Sequence, residues 1–333
     1  MSKSNWNYSK NSIKIFKSDS FGVKMGDYYR SAILDKLNHI YSNAKTNNKL
    51  NILDLGSGYG FILKSNFTQN LITNNLLNIF ISVDSDKKCI LELSKIVTRL
   101  FSTTEANFIN ICCPVEDLHF QSDTGSLDQI SHINLIFAFG LFFYIDPNRL
   151  SDVFLNISKL LCIDGTIILN YMHPMYFTSS IDQSDTNTSL DFGWCAIKPT
   201  CLNSSQYTLK MSSQIGSMNQ GIFYFDIIDH QELLFSLNLE IVDIKIDIIT
   251  KDRCNLVNGY LYNYPAVVCV VLKKIDPNKN KKFVKMNLPD GFEMNKWVNF
   301  LGNYHKRTPE FLVESYNQYV KIHKNKTDYV LIE

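Results

Sequence analysis

Leu50-Asn-Ile-Leu-Asp54-Leu-Gly56-Ser-Gly58-Tyr-Gly60 is the stretch on which the fold of this chain turns. An apolar run of strand length ends in three alternate glycines, which reads as a strand buried on both faces running into a tight turn. Glycines let the backbone turn sharply and let a ligand approach where a Cβ would clash. A helix is expected directly beyond, its first N–H groups and positive dipole end suited to a carboxylate. Spacing separates two kinds of nucleotide turn. A dinucleotide fingerprint of the form GxGxxG needs glycine at position 61, and this chain has Phe61.

The pattern repeats downstream of the turn. Ile79-Phe-Ile-Ser-Val-Asp84 reads as a second buried strand, followed by Cys89, Ile90, Leu93, Ile96, Val97 and Leu100 at helical spacing behind Ser85 or Asp86, either of which suits an N-cap. Residues 107–113 and 133–139 read as third and fourth strands. A helix opens near Pro147, presents Leu150, Val153, Phe154, Ile157, Leu160 and Leu161, and stops before Gly165; Thr166 to Tyr171 is a fifth strand. Strands alternating with helices of this length predict a mostly parallel sheet covered on both faces. Upstream, Tyr29, Ile33, Leu34, Leu37, Ile40 and Tyr41 give residues 27–44 an amphipathic helical face.

The rhythm breaks at residues 172–225, which are rich in Ser, Thr, Asn, Gln and aromatics without a sustained period. It resumes at Asp229 and Glu232, which fit a capping box ahead of a short helix. Residues 241–249 alternate Ile with Asp and Lys, so that strand has a polar face or lies at an edge. Residues 264–272 form a more apolar strand, and an antiparallel hairpin with a long loop is the simplest connection between the two. Six lysines between Lys273 and Lys285 predict an exposed linker, and Thr308-Pro309-Glu310 starts a last helix carrying Leu312, Tyr316, Tyr319 and Val320.

Composition narrows the class. The chain has 333 residues, with 33 basic against 32 acidic side chains, a formal charge of +1, 45% hydrophobic and 13% aromatic content. A chain of this size can build a large core unaided, and the balance argues against disorder and against a globally basic nucleic-acid binder. The longest apolar stretch, Ile133 to Ile145, is 13 residues interrupted by Asn134, too short to span a bilayer, and the start has no apolar segment of signal-peptide length. The eight cysteines show no CxxC pair and mostly sit in apolar segments. They read as reduced thiols of a cytoplasmic protein, with neither a disulfide frame nor a metal site. Cys112 and Cys113 are expected to be buried small apolar groups.

The run Asp54-Leu-Gly56-Ser-Gly58-Tyr-Gly60 resembles the first motif of the class I S-adenosylmethionine-dependent methyltransferases, and the likeness extends through about residues 46–272. It implies an α/β fold: a three-layer Rossmann-like sheet, mostly parallel with an antiparallel C-terminal strand, with terminal helices and a lid insertion. The implied organisation is an N-terminal helical lid at 1–45, a methyltransferase domain at 46–272 with a substrate lid at 172–225, and a lysine-rich linker with C-terminal helices at 273–333. S-adenosyl-L-methionine is the implied cofactor. By the resemblance, Asp54 orients the loop, Gly56 and Gly58 border the methionine part, Asp84 meets the ribose, and Ser57, Gly60 and Ser85 are further cofactor-binding residues. A carboxylate can accept hydrogen bonds from both ribose hydroxyls. Pro114-Val115-Glu116-Asp117-Leu118 resembles the adenine segment. It departs from the family where Asp is usual and Pro114 stands, leaving the Val115 backbone and Glu116 or Asp117 as candidate contacts. Residues 133–144 resemble the fourth strand and its turn, with Asn134 in the usual Asp position and Phe139 or Gly140 near the cofactor's amino group. Tyr29 and Arg30 resemble part of an N-terminal lid, where an aromatic face suits a sulfonium and Arg30 suits the methionine carboxylate.

Methyl transfer from a sulfonium is an in-line displacement whose electrophile comes with the cofactor, so positioning dominates and a base is needed only for a protonated acceptor. His173, just after the fifth predicted strand, is the best-placed group titrating near neutrality; an acceptor contact, a base and a capping role all stay open for it. Tyr144 either bonds the acceptor, faces the cofactor or simply packs. No Asn/Asp-Pro-Pro-aromatic tetrapeptide follows the fourth strand, which removes the motif of the methyltransferases acting on adenine or glutamine amides. The resulting expectation is transfer to a nitrogen or oxygen of a small-molecule acceptor, a biosynthetic intermediate of specialised metabolism, with no membrane and no nucleic-acid partner; a homodimer is allowed. Two rivals remain, a cofactor-binding scaffold without turnover and a nicotinamide-dependent oxidoreductase disfavoured by Phe61.

Overall fold

A computed structural model describes residues 21–43, 49–118, 132–172, 195–199, 206–213, 216–223, 225–249, 264–278 and 283–284. Its elements in order are α1 (Phe21–Asn43), β1 (Leu50–Leu55), α2 (Asn66–Thr73), β2 (Leu77–Asp84), α3 (Lys87–Phe101), β3 (Asn107–Cys112), β4 (Ile133–Phe139), α4 (Leu150–Leu160) and β5 (Leu161–Met172). There follow β6 (Cys195–Pro199), β7 (Gln206–Ser213), β8 (Gly216–Phe223), α5 (Gln231–Ser236), β9 (Leu239–Ile249) and β10 (Tyr264–Lys274). Short 3-10 turns lie at Val115–Asp117, Phe142–Tyr144, Pro147–Arg149 and Ile227–His230.

Seven strands form one sheet in the order β3-β2-β1-β4-β5-β10-β9. The first five pair in parallel, while β10 runs antiparallel between β5 and β9. The expected parallel sheet with an antiparallel C-terminal strand is thus present, and the alternating Ile/charged strand β9 is its edge. Strand order reverses between β1 and β4, the position beside the glycine turn at which open α/β sheets commonly bind ligands.

Side-chain parity divides the core into two layers, as a sheet buried on both faces requires. Leu53, Leu55, Ile81, Val83, Ile136, Ala138, Ile167 and Leu169 face Val153, Phe154, Ile157 and Leu234 of α4 and α5. Their neighbours Ile52, Phe80, Leu135, Phe137 and Ile168 face Leu34, Phe67, Leu71, Leu93 and Ile96 of α1, α2 and α3. Leu34 and Tyr41 bring the C-terminal half of α1 into this second layer, and Asn70 Nδ2 donates to Asn38 Oδ1 at 2.9 Å between α2 and α1. Ile40, assigned above to the apolar face, is half exposed.

Several expectations need correction. The fifth strand starts at Leu161, five residues before Thr166, because a bulge lets Ile133 face Leu161 while Leu135 faces Thr166. Between them Asp164 takes φ +65° and pairs with Lys273 at 2.9 Å. The capping box at Asp229 and Glu232 does not form. Asp226 caps the 3-10 turn instead, its carboxylate accepting from the Ile228 N–H at 3.2 Å, and its buried position is fixed by the Tyr171 hydroxyl at 2.9 Å. Residues 172–225, read as aperiodic, contain a three-stranded antiparallel sheet in the order β6-β7-β8. The lysine-rich segment is not all free linker: Gln231, 1% exposed, donates to the Val284 carbonyl and accepts from its N–H, each at 2.7 Å. Phe283 meets Phe235 edge-on at 4.7 Å. The predicted helix from Thr308 lies outside the described residues.

Lys274, at the end of β10, donates to the Ser158 and Leu161 carbonyls at 2.6 and 2.7 Å, serving carbonyls that the C-terminal end of α4 leaves without helical partners. Lys274→Met is expected to lower unfolding stability by about 1–3 kcal/mol, the range for hydrogen bonds to a charged group. Urea unfolding checks this, and an unchanged midpoint would remove the capping role.

Candidate functional site

The glycine turn after β1 is held from the neighbouring strand. Ser57 donates its hydroxyl to the Asp54 carbonyl at 2.6 Å, accepts from the Val83 N–H at 3.0 Å, and is itself buried. Its side chain is therefore committed to joining the ends of β1 and β2. Gly56 and Gly60 have φ of +68° and +74°, where side chains are strained. A Cβ on Gly60 would lie 2.7 Å from Leu93 of α3, and one on Gly56 would lie 3.2 Å from Leu141, so both close approaches use the missing side chain.

Beyond Gly60 the expected helix does not start. One turn closes, with the Lys64 N–H bonded to the Gly60 carbonyl at 3.0 Å. The chain is then interrupted at Ser65, which caps α2 by accepting from the Thr68 N–H. Ser65 and Thr68 both donate their hydroxyls to the Ile62 carbonyl, at 2.6 and 2.7 Å. The N-terminus of α2 is thus set back from the turn and is not the carboxylate site expected from the sequence.

Asp84 closes β2 and meets the turn directly. One carboxylate oxygen accepts from the Gly58 N–H and the other from the Asp86 N–H, each at 2.8 Å. Asp86, the N-cap of α3 between the two candidates, accepts from Lys88 at 2.7 Å. Burial raises the Asp84 carboxyl above its usual range, and the two N–H bonds oppose that rise. A carboxylate offers about four acceptor positions, so two remain for a ligand on Asp84.

Asp54, one residue before the end of β1, is 3% exposed. Its Oδ2 is buried without a hydrogen-bond partner among the described residues. Burial pushes this carboxyl up to about 8; the neighbouring Asp84 charge adds to the rise, while the Arg30 guanidinium and the Ser57 hydroxyl oppose it. Arg30 lies 4.7 Å above the centre of the Phe61 ring, a cation–π contact that joins α1 to the glycine turn. Tyr29 belongs to the same helix backbone, its side chain being outside the described residues.

The segment after β3 supplies the next wall. Val115 is buried, Glu116 is half-buried with its carboxyl raised by that burial, and Asp117 is exposed. Cys112 and Cys113 do not fit the expectation of buried thiols: Cys112 is exposed and Cys113 half-buried. The Cys113 thiol is pushed up to about 11, chiefly by burial. Ser85 lies beside this wall, its carbonyl 3.9 Å from the Cys112 thiol.

Gly140 begins the turn after β4. Its N–H is shared between the backbone and side-chain oxygens of Asn170 in β5, at 3.1 and 2.8 Å. Asn170 escaped the sequence reading because its partner is 30 residues away. Phe139 is half-buried beside Phe137, and Tyr144 packs on Phe143 with ring centroids 4.4 Å apart. Below them Phe142 stacks between Phe154 and Phe225 at 4.9 and 5.0 Å. His173 lies outside the described residues. The chain therefore brings Asp54, Asp84, Asp86, Glu116 and Asp117 to the C-terminal ends of β1, β2 and β3 and the connections that follow them. Two cations offset part of this set, Arg30 near Asp54 and Arg149 paired with Asp117 at 3.3 Å.

No protein-family model and no curated protein matches the sequence. Solved structures do resemble the fold. An S-adenosylmethionine-dependent methyltransferase from Clostridium acetobutylicum ATCC 824 superposes at a TM-score of 0.50 with 16% identity, covering 79% of this chain and 96% of its own. The CcbJ methyltransferase from Streptomyces caelestis has a TM-score of 0.45 and 13% identity over 75% of this chain and 95% of its own. The fold is that of the class I S-adenosylmethionine-dependent methyltransferases, Rossmann-like with an antiparallel C-terminal strand.

The raised Asp54 carboxyl has a stability consequence. A carboxyl that titrates higher folded than unfolded takes up a proton on folding, so its contribution is present at acid pH and lost as pH rises through the folded value. The ligand-free protein should melt at a lower temperature at pH 8.5 than at pH 6, and Asp54→Asn should remove most of that difference. Thermal melts of both proteins across this range check it; an equal slope in the variant would contradict the assignment.

Proposed function

We propose that this chain is a methyltransferase that binds S-adenosyl-L-methionine in the crevice between the glycine turn, Asp84 and the Val115–Asp117 segment. The observation that carries the reading is the unpartnered, buried Asp54 oxygen at the base of a glycine turn tied to Asp84. A dinucleotide would bring two phosphates against the acidic set, whereas a sulfonium nucleoside brings positive charge and no phosphate. Phe61 in place of the third fingerprint glycine points the same way.

In this reading Gly56 and Gly58 border the amino-acid part and Asp54 faces its positive charge. Asp84 accepts from the ribose hydroxyls with its two remaining positions. The Val115 backbone with Glu116 or Asp117 meets adenine, Phe139 or Gly140 lies near the amino group, and Arg30 meets the carboxylate. The cofactor, when bound, supplies an activated methyl group. What the protein adds is placement of the acceptor in line behind that methyl and exclusion of water.

The proposed acceptor is a small molecule with a nitrogen or oxygen nucleophile. It would lie over the turn carrying Tyr144 and the segment that begins at His173, with β6, β7 and β8 in the connection that follows. The aromatic content of residues 172–225, with Phe192, Trp194, Phe223 and Tyr224 among them, supports a partly apolar acceptor. His173 is the proposed acceptor contact or base, and Tyr144 a proposed acceptor or cofactor contact. A cytoplasmic location is proposed on the cysteine pattern, and a biosynthetic role on the small-molecule methyltransferase reading. Among the described residues no helix is long and apolar enough to cross a membrane.

Calorimetry with S-adenosylhomocysteine and with NAD tests the cofactor assignment. Binding of the former and not the latter is expected; binding of NAD alone would overturn the reading. Asp84→Ala should weaken S-adenosylhomocysteine binding by about 1–3 kcal/mol, and an unchanged affinity would contradict the ribose role. Transfer of a labelled methyl group into fractionated small-molecule extract distinguishes an enzyme from a binding scaffold. His173→Ala with intact cofactor affinity should lose turnover; full turnover would reject its role.

A further inference from the structure

Arg149 belongs to no part of the site described so far, yet its side chain reaches it. The residue ends the 3-10 turn Pro147–Arg149, which Asp146 caps by accepting from the Asn148 N–H at 2.9 Å. The Arg149 N–H bonds the Asp146 carbonyl at 2.8 Å, so the base of the side chain is fixed. From there the guanidinium crosses to the segment after β3. Its Nη2 donates to the Glu116 carbonyl at 2.7 Å and to Asp117 Oδ1 at 3.3 Å, and its Nε donates to Asp152 Oδ2 of α4 at 3.3 Å. One planar fork therefore joins α4 to the two acidic residues that the cofactor reading places against adenine.

That segment has few other anchors. Within it the Asp117 and Leu118 N–H groups bond only to the Pro114 and Val115 carbonyls, at 3.1 and 3.3 Å, which shapes the turn without attaching it to the sheet. The Cys113 N–H holds its start to the Asp84 carbonyl at 3.1 Å, and buried Val115 pins its middle. Leu118 is buried in the core at its far end, and among the described residues the Arg149 bond to the Glu116 carbonyl is the hydrogen bond that a side chain makes to the backbone of this turn. A Glu116 peptide held by its oxygen cannot rotate freely, so the direction of its neighbours' polar groups is set from α4.

We infer that Arg149 is a positioning residue for adenine recognition, orienting the Glu116–Asp117 segment through its fork on the Glu116 carbonyl and the Asp117 carboxylate; this rests on the methyltransferase reading. The Arg149 side chain is 34% and the Asp117 side chain 54% exposed, where ion pairs contribute little to folding stability. Its effect therefore falls on ligand discrimination more than on stability. Lysine carries the charge but lacks the planar fork, so it cannot serve Asp152 and the Glu116 carbonyl together.

The test compares S-adenosylhomocysteine with S-inosylhomocysteine, in which a carbonyl replaces the adenine amino group, by calorimetry on wild type, Arg149→Gln and Arg149→Lys. Wild type should prefer the adenine compound. Arg149→Gln should lose about tenfold in affinity for it, as expected for a charge-assisted bond, while binding the inosine compound nearly as before. Arg149→Lys should fall between the two, and the thermal midpoints of the ligand-free variants should match wild type. Equal weakening toward both ligands, a preserved preference, or a fall in midpoint that accounts for the lost affinity would overturn the inference. Wild-type protein that binds neither compound would instead overturn the cofactor reading on which it stands.

Discussion

The Asp84 carboxylate is the constraint from which the rest of the site is built. Its two oxygens receive the N–H of Gly58 from the turn after β1 and the N–H of Asp86 at the head of α3. One side chain thereby joins the turn after β1 to the head of α3 at the C-terminal ends of two parallel strands. The turn can adopt its positive φ angles because glycine occupies Gly56 and Gly60, and Leu93 and Leu141 fill the space that side chains there would need. Ser57 locks the same junction from beneath, with its hydroxyl bridging β1 and β2.

Closing that junction concentrates acid. Asp54 and Asp84 are buried together; burial raises both carboxyls, and the Asp84 charge raises Asp54 further. A protein gains nothing in folding from such an arrangement, since charged groups removed from water are costly. The proposed cofactor, which carries positive charge, would offset that cost. Arg30, stacked on Phe61, provides partial compensation from α1 without pairing off the Asp54 oxygen.

Much of the fold was legible because its signals are local. The apolar runs of β1, β2, β4 and β5 reflect a sheet covered on both faces, whereas the edge strand β3 buries none of its residues, and β4 occupies the residues that its sequence pattern delimits. Alternating Ile and charge in β9 announced an edge, where it lies. The failures share a cause as well. Asp229 and Glu232 have capping-box spacing, but Asp226 caps first because the Tyr171 hydroxyl, 55 residues earlier in the chain, fixes it in place. Asn170, Gln231 and Arg149 act on partners 30, 53 and 33 residues away, which no periodicity reports. The three-stranded sheet carried one local signal, the alternation of Tyr207, Leu209 and Met211 with polar residues in β7, masked by the polar runs around it. The helix expected after Gly60 was lost to the hydroxyls of Ser65 and Thr68, which compete for the Ile62 carbonyl and end the first turn.

A structure determined with S-adenosylhomocysteine bound tests the central claim most directly. The account predicts the ribose hydroxyls on the Asp84 carboxylate, which keeps its Gly58 and Asp86 bonds, with the amino-acid part over Gly56 and Gly58 and adenine against Val115–Asp117. A nucleoside bound away from the glycine turn, or one whose ribose makes no contact with Asp84, would contradict it.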